Sequence, residues 1–309
     1  MSLRAFFLAG LATRAPGTVL ALVAGEREAE DLRDDLGLFT ENVALLPPWE
    51  TLPFEHVSPN LLTMATRARA RHTLEAGPRG AVVVASVRAA IQRLSPSSFD
   101  PITVSTTGEL GFDALVDGLA SYGYQRTDRV ENRGDFAVRG GIIDVAPAQG
   151  GDPVRIEFWG DQVTDMRRFS TVTQRSTGPA VEVVAYPARE LRSDAVLAAR
   201  AAGLAESHPW ASATWERISQ GVFFAGMESW LPWLAPERTV LSAGPDETWL
   251  VAFEDARLLA RSSELQAEER DLAAALASTW GEGAPVAGEH PELYLPLSIE
   301  QALVCPPGS

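Results

Sequence analysis

The sequence predicts an α/β fold: a parallel sheet of the nucleotide-binding type into which a smaller α+β segment is inserted. Two patterns predict it. Over residues 17–93 short, continuous apolar runs alternate with amphipathic helical stretches, and near residue 100 the period changes to the two-residue alternation of half-buried strands. The chain of 309 residues is long enough for one large domain or two smaller ones.

The elements follow in order. Residues 18–24 (TVLALVA) are apolar without alternation, as in a parallel strand covered on both faces, and Gly25 ends the run. Residues 26–38 carry acids in the first turn and place Ala29, Leu32 and Leu36 at helical spacing. A short strand at 43–46 is stopped by Pro47 and Pro48. A proline-rich loop, PPWETLPFEHVSPN, then leads to a helix at 61–76 and a third buried strand at 81–85. This alternation is the grammar of an open sheet with right-handed crossovers. Residues 101–110 read as a polar strand and 111–122 as a short helix with Phe112, Leu115 and Leu119 on one face. Strands follow at 136–139, 142–145 and 154–159; Gly140-Gly141 reads as a break or bulge and Gly160-Asp161 as a tight turn. From about residue 187 the chain is helical, at 194–206, 211–220 and 254–278, with strand-like segments at 238–242 and 248–252 available to complete the first sheet. The expected division is residues 1–100 plus 187–309 for the α/β domain and 101–186 for the insertion.

Charge narrows the function. The net charge is -15, from 41 acids against 26 bases. Residues 101–186 hold 8 arginines against 12 acids, and the remainder 18 against 29, so neither part is a nucleic-acid domain by bulk charge. Every base is an arginine. Codon bias in a GC-rich genome is the simplest source of that, but a phosphate-binding loop of the G-x-x-x-x-G-K-[ST] kind is ruled out for want of its lysine. One cysteine, Cys305, excludes an internal disulfide, and His56, His72, His208 and His290 lie at no metal-ligand spacing. No metal or other cofactor is expected. The apolar runs fall well short of the roughly 20 residues of a membrane helix. The first 15 residues imitate a signal peptide only weakly, and a cytoplasmic location is expected.

The stretch from Arg133, RGDFAVRGGIIDVAPAQGGDPVRIEFWGDQVTDMRRFSTVTQRS, carries a specific resemblance. Its G-D-F-A-V-R-G-G run, I-D-V strand, P-V-R-I-E-F-W-G-D strand and turn, and T-Q-R-S close resemble the repair module shared by the excinuclease subunit UvrB and the transcription-repair coupling factor Mfd. The loop PPWETLPFEHVSP and the segment GMESWLPWL are similar to the Mfd branch, whose N-terminal UvrB-homology module this resembles over about residues 17–260. The resemblance implies a degenerate P-loop NTPase-like sheet without a Walker A motif and an inserted domain that docks UvrA. It implies a non-catalytic docking module of nucleotide excision repair, with other domains of a longer parent as further partners. A nucleotide- or DNA-binding helicase fragment is the alternative; no D-E-x-[DH] motor motif is present to favour it.

Pleating sets the candidate contact residues. On the 154–159 strand Val154, Ile156 and Phe158 face one side and Arg155, Glu157 and Trp159 the other. Arginine and tryptophan dominate interface energetics. The resemblance places UvrA contacts at Arg139, Arg155 and Trp159, where the family usually has Phe at the last. The alternative is that Trp159 covers its own domain edge and both arginines pair with Glu157 and Asp144. Arg67, Arg69, Arg71 and His72 read as a solvated helix face, with weak DNA contact as the other reading. Ser86 lacks any partner for nucleophilic chemistry, Trp49, Phe54, Trp230 and Trp233 read as packing residues, and Asp161 and Asp165 as surface acids.

Overall fold

The run VLALV sits at the centre of a three-layer body because its odd and even residues feed two different cores. The computed structural model describes residues 3–97, 100–280, 283–284, 289–300 and 302–305. The chain opens with α1 (Leu3–Ala12), β1 (Val19–Val23), α2 (Glu26–Leu36), β2 (Val43–Leu46), α3 (Leu61–Ala76), β3 (Val82–Ser86) and the single turn α4 (Val87–Ala90). A β-rich region follows: β4 (Ile102–Ser105), α5 (Phe112–Ser121), β5 (Gln125–Arg126), β6 (Asp135–Arg139), β7 (Ile142–Val145), β8 (Val154–Trp159), β9 (Gln162–Phe169), β10 (Ser176–Pro179) and β11 (Glu182–Ala185). The remainder is α6 (Ala195–Ser207), α7 (Ser212–Ser219), α8 (Leu231–Leu234), β12 (Trp249–Phe253), α9 (Asp255–Leu276) and β13 (Leu303–Cys305).

The first sheet is all parallel, in the order β13-β12-β1-β3-β2. Val19, Ala21 and Val23 pack with Leu8 of α1 and Leu32 and Leu36 of α2 on one face. Leu20 and Leu22 pack with Leu74 of α3 and Leu258 and Leu265 of α9 on the other. Burial on both faces is why these strands read as unbroken apolar runs. The second core also takes in a tryptophan cluster. Trp230 lies 4.8 Å from Trp215 and 4.7 Å from Trp280, both edge-on, and Trp49 and Phe54 join the same core.

Between the third and fourth strands of that sheet the chain leaves it. The inserted region forms a six-stranded sheet, β10-β9-β8-β7-β6-β5, and a small pair, β11-β4. Phe136, Ile143, Val154, Ile156 and Phe158 pack on Leu115 and Leu119 of α5, and Ala65 of α3 belongs to the same cluster, so this core rests against the parallel-sheet body.

Three expectations need correction. Gly140-Gly141 is the two-residue turn of a β6–β7 hairpin and not a break within one strand; Arg139 pairs with Ile142 across it. Gly140 takes φ 59°, the left-handed backbone that hairpin turns demand and glycine supplies without strain. Residues 238–242 are not a strand. Thr239 caps a 3₁₀ turn at Val240–Ser242 by accepting from Leu241 N, and the Arg238 guanidinium reaches back to Ser242 O. Arg67 and Arg71 do not lie on a solvated face: both are buried, Arg67 against Glu190 and Arg71 against Glu75 and the Ser95 carbonyl. Asp161 is exposed, as expected of a surface acid, and its Oδ1 also accepts from Phe112 N at the start of α5, 3.3 Å away. The helix α1 and the edge strand β13 were not anticipated at all.

Glu269 of α9 gives the body a pH signature. Its carboxylate accepts from Leu293 N at 2.5 Å and Tyr294 N at 2.9 Å, but burial outweighs these bonds and pushes its pKa from 4.5 to about 7. The folded state therefore binds the proton more tightly than the unfolded chain. The contribution to stability is complete below about pH 4.5 and is lost as pH rises through about 7. Thermal melts between pH 4.5 and 8 should show Glu269→Gln flattening the decline. The ceiling is about 3 kcal/mol, since each tenfold difference in proton affinity between the folded and unfolded chain is worth about 1.4 kcal/mol.

Candidate functional site

The six-stranded sheet has one face on its core and one face open, and alternation decides which residues go where. Val154, Ile156 and Phe158 are buried, while Arg155, Glu157 and Trp159 point away. Antiparallel register then builds the outer face row by row. Ala137, Asp144, Arg155 and Arg167 are successive neighbours in one row, and Arg139, Ile142, Glu157 and Asp165 in the next. At one end the face is closed by a small cluster of Val130, Ala137, Ala146 and Phe169. The other end is open, and there Trp159 stands 82% exposed beside the β8–β9 turn. Tryptophan is among the most buried residue types on average, so a single one left almost wholly in water on a rigid strand is a feature to account for.

Asp144 organises the arginines. Its side chain has no exposure, yet it accepts from two guanidinium groups. Arg155 binds it bidentately, Nε to Oδ1 at 2.7 Å and Nη2 to Oδ2 at 2.8 Å, and Arg139 Nη2 closes on Oδ2 from the neighbouring strand. These hydrogen bonds raise the Arg155 pKa further, against the opposing effect of burial. The Arg155 guanidinium also lies over the Phe169 ring, 5.1 Å from its centroid. Arg155 is thus largely engaged, with 20% of its side chain exposed, whereas Arg139 keeps 46%.

The three residues expected at the site, Arg139, Arg155 and Trp159, share this outer face. The alternative expectation holds for the arginines as far as Asp144, with which both pair, but not for Glu157, which forms an ion pair with neither among the described contacts, and it fails for Trp159, which stands out in solvent. Sequence reasoning underused Asp144 and missed Phe169 and Arg167. The alternation of I-I-D-V points Asp144 away from the core, and that was the available signal.

A second place to look is the carboxyl edge of the parallel sheet, where open α/β folds bind ligands. A cavity of about 190 Å³ lies there, lined among others by Glu26, Glu30, Glu50 and Ser86. The β1–α2 connection consists of Ala24 and Gly25 alone. The Glu28 carboxylate occupies the start of α2, accepting from Gly25 N at 3.0 Å, and Glu26 sits in the same turn. Both acids are turned toward cations of the protein, Glu26 to Arg88 and Glu28 to Arg257. Carboxylates stand where the helix N-terminus would otherwise attract a phosphate. Ser86 is buried and caps α4.

Residues 102–191 match the UvrB interaction domain family. The chain is 36% identical over 307 residues to the transcription-repair-coupling factor of Mycobacterium tuberculosis, which covers 92% of this chain and 24% of that protein. It is 30% identical over 302 residues to that of Bacillus subtilis (88% of this chain, 25% of the relative) and 28% over 262 residues to that of Escherichia coli K12 (80% and 22%). The chain therefore carries, at residues 102–191, a domain of the UvrB interaction family. It is related to the transcription-repair-coupling factors, about a quarter of whose length it spans. Among the described residues no helix is long and apolar enough to cross a membrane, and no group of three or more His, Cys, Asp or Glu is placed to hold a metal ion.

Proposed function

We propose that this chain is a docking module of transcription-coupled nucleotide excision repair, which recruits UvrA through the outer face of β6–β9 and performs no chemistry itself. The observation that carries the reading is Trp159, 82% exposed on the sheet face that also presents Arg139, within the segment matching the UvrB interaction domain. An exposed tryptophan on one sheet face with a half-exposed arginine has the composition of an interface centre. In this reading residues 101–186 are the docking domain and residues 1–100 with 187–309 are its support, a P-loop NTPase-like sheet that has lost its Walker A motif. The two-residue β1–α2 connection and the acids at the start of α2 support that loss, since a phosphate loop needs more chain and the opposite charge.

Two titrations test it by calorimetry. UvrA from the same organism should bind the full chain with one site, and ATP with magnesium should give no binding heat. Absence of UvrA binding contradicts the docking role, and ATP affinity in the micromolar range restores the nucleotide-binding reading.

A further inference from the structure

We propose that Asp144 is the positioning residue of the docking face: its carboxylate fixes Arg139 and Arg155 where a partner's carboxylate can meet them. The inference rests on the docking reading above and adds to it the group that sets the geometry and the chemistry it selects. One buried carboxylate faces two guanidinium groups, so the triad carries a net positive charge that its own members do not neutralise. Arg155 spends two of its nitrogens on Asp144 and is stacked over Phe169, which makes it a strut. Arg139 uses Nη2 alone on Asp144, is half exposed, and stands at the hairpin turn beside Ile142. A guanidinium has five N–H donors in a planar fork, so Arg139 retains donors directed outward. Of the nearby acids, Asp165 pairs with Arg167, and Glu157 acts on Arg155 through its charge but forms no ion pair with either arginine among the described contacts. The group that fits the exposed side of Arg139 is an acidic side chain of the partner, with Trp159 entering an apolar recess of the same surface.

Pre-organisation is the reason the clamp matters. A free arginine loses considerable rotamer freedom when it is immobilised at an interface. Asp144 has taken that loss during folding. Without it, Arg139 of β6 and Arg155 of β8 face one another across β7 with no carboxylate between them, and Arg139 has no fixed position.

A double-mutant cycle on the full chain with UvrA from the same organism tests this, using wild type, Asp144→Asn, Arg139→Gln and the double variant at low and moderate salt. Arg139→Gln should weaken binding of the wild type by about tenfold or more. Asp144→Asn should do the same. In the Asp144→Asn background, Arg139→Gln should cost less than about threefold, because an unpositioned arginine has little left to lose. Additive losses, or Asp144→Asn binding as wild type does, overturn the proposal. A merely structural loss at Asp144 would lower the active fraction and leave the cost of Arg139→Gln unchanged. Should Asp144→Asn fail to fold, arginine side-chain NMR of the wild type decides: the Arg155 Nε–H should exchange slowly with water, and exchange as fast as that of an exposed arginine overturns the clamp. Wild-type chain that keeps a slow Arg155 Nε–H yet does not bind UvrA sinks the docking reading and leaves the clamp standing.

Discussion

Trp159→Ala should weaken UvrA binding by about 30-fold or more and leave the melting temperature of the free chain unchanged. The first number follows from truncating an interface anchor, worth about 2 kcal/mol or more, with each 1.4 kcal/mol or so equal to a factor of ten. The second follows from exposure: a side chain 82% in water contributes little to folding, and surface substitutions stay within about 0.5 kcal/mol. The neighbouring Phe158 is the control. It points to the opposite side of the same strand and is buried in the insertion core, 5.4 Å from Phe112. Phe158→Ala should cost about 3–5 kcal/mol of stability. Calorimetry paired with thermal melts separates the two, since one residue acts on the partner and its neighbour on the fold.

Arg67→Ala should destabilise the chain by about 3–5 kcal/mol, the largest effect expected from removing one charge, because it leaves Glu190 buried without its cation. Arg67 Nε donates to Glu190 Oε2 at 2.9 Å and its Nη1 donates to Pro47 O at 2.7 Å; Trp49 Nε1 approaches the same carboxylate oxygen. Glu190 lies on the segment that returns from the insertion to the body. Beside it Arg189 donates to the buried Glu228 at 3.1 Å and to Ser58 at 3.0 Å. The two buried pairs tie the exit of the insertion to the parallel-sheet body. Replacing both members of the first, as Arg67→Met with Glu190→Leu, should recover most of the loss in urea unfolding, since apolar groups of similar size carry no desolvation penalty.

The parallel sheet was legible in the sequence because its signal is local. The runs at β1 and β3 are apolar throughout, and only a strand covered on both faces needs that. The strands β6 and β8 were equally plain from their alternation. What the sequence hid depends on partners far along the chain. The pairing of Arg67 with Glu190 spans 123 positions, so no window on α3 distinguishes it from a solvated helix face. The edge strand β13 is three residues long and takes its conformation from lying beside β12. The 3₁₀ turn after Thr239 has a strand-like composition, and it is the Thr239 cap and the backbone contacts of Arg238 that turn it. At the candidate site the pleat gave the right face for Arg155 and Trp159. Asp144 was already offered there as an arginine partner beside Glu157; the register, which sets Asp144 opposite both Ala137 and Arg155, is what decides between the two acids.

Hydroxyl-radical footprinting of the chain with and without UvrA tests the central claim most directly. Trp159 and Ile142 should lose reactivity when UvrA binds, while Phe6 and Leu38, exposed on the parallel-sheet body, keep theirs. UvrA binding that leaves Trp159 as reactive as in the free chain, or that protects Phe6 and Leu38 in its place, would contradict the assignment of the outer face of β6–β9 as the docking surface.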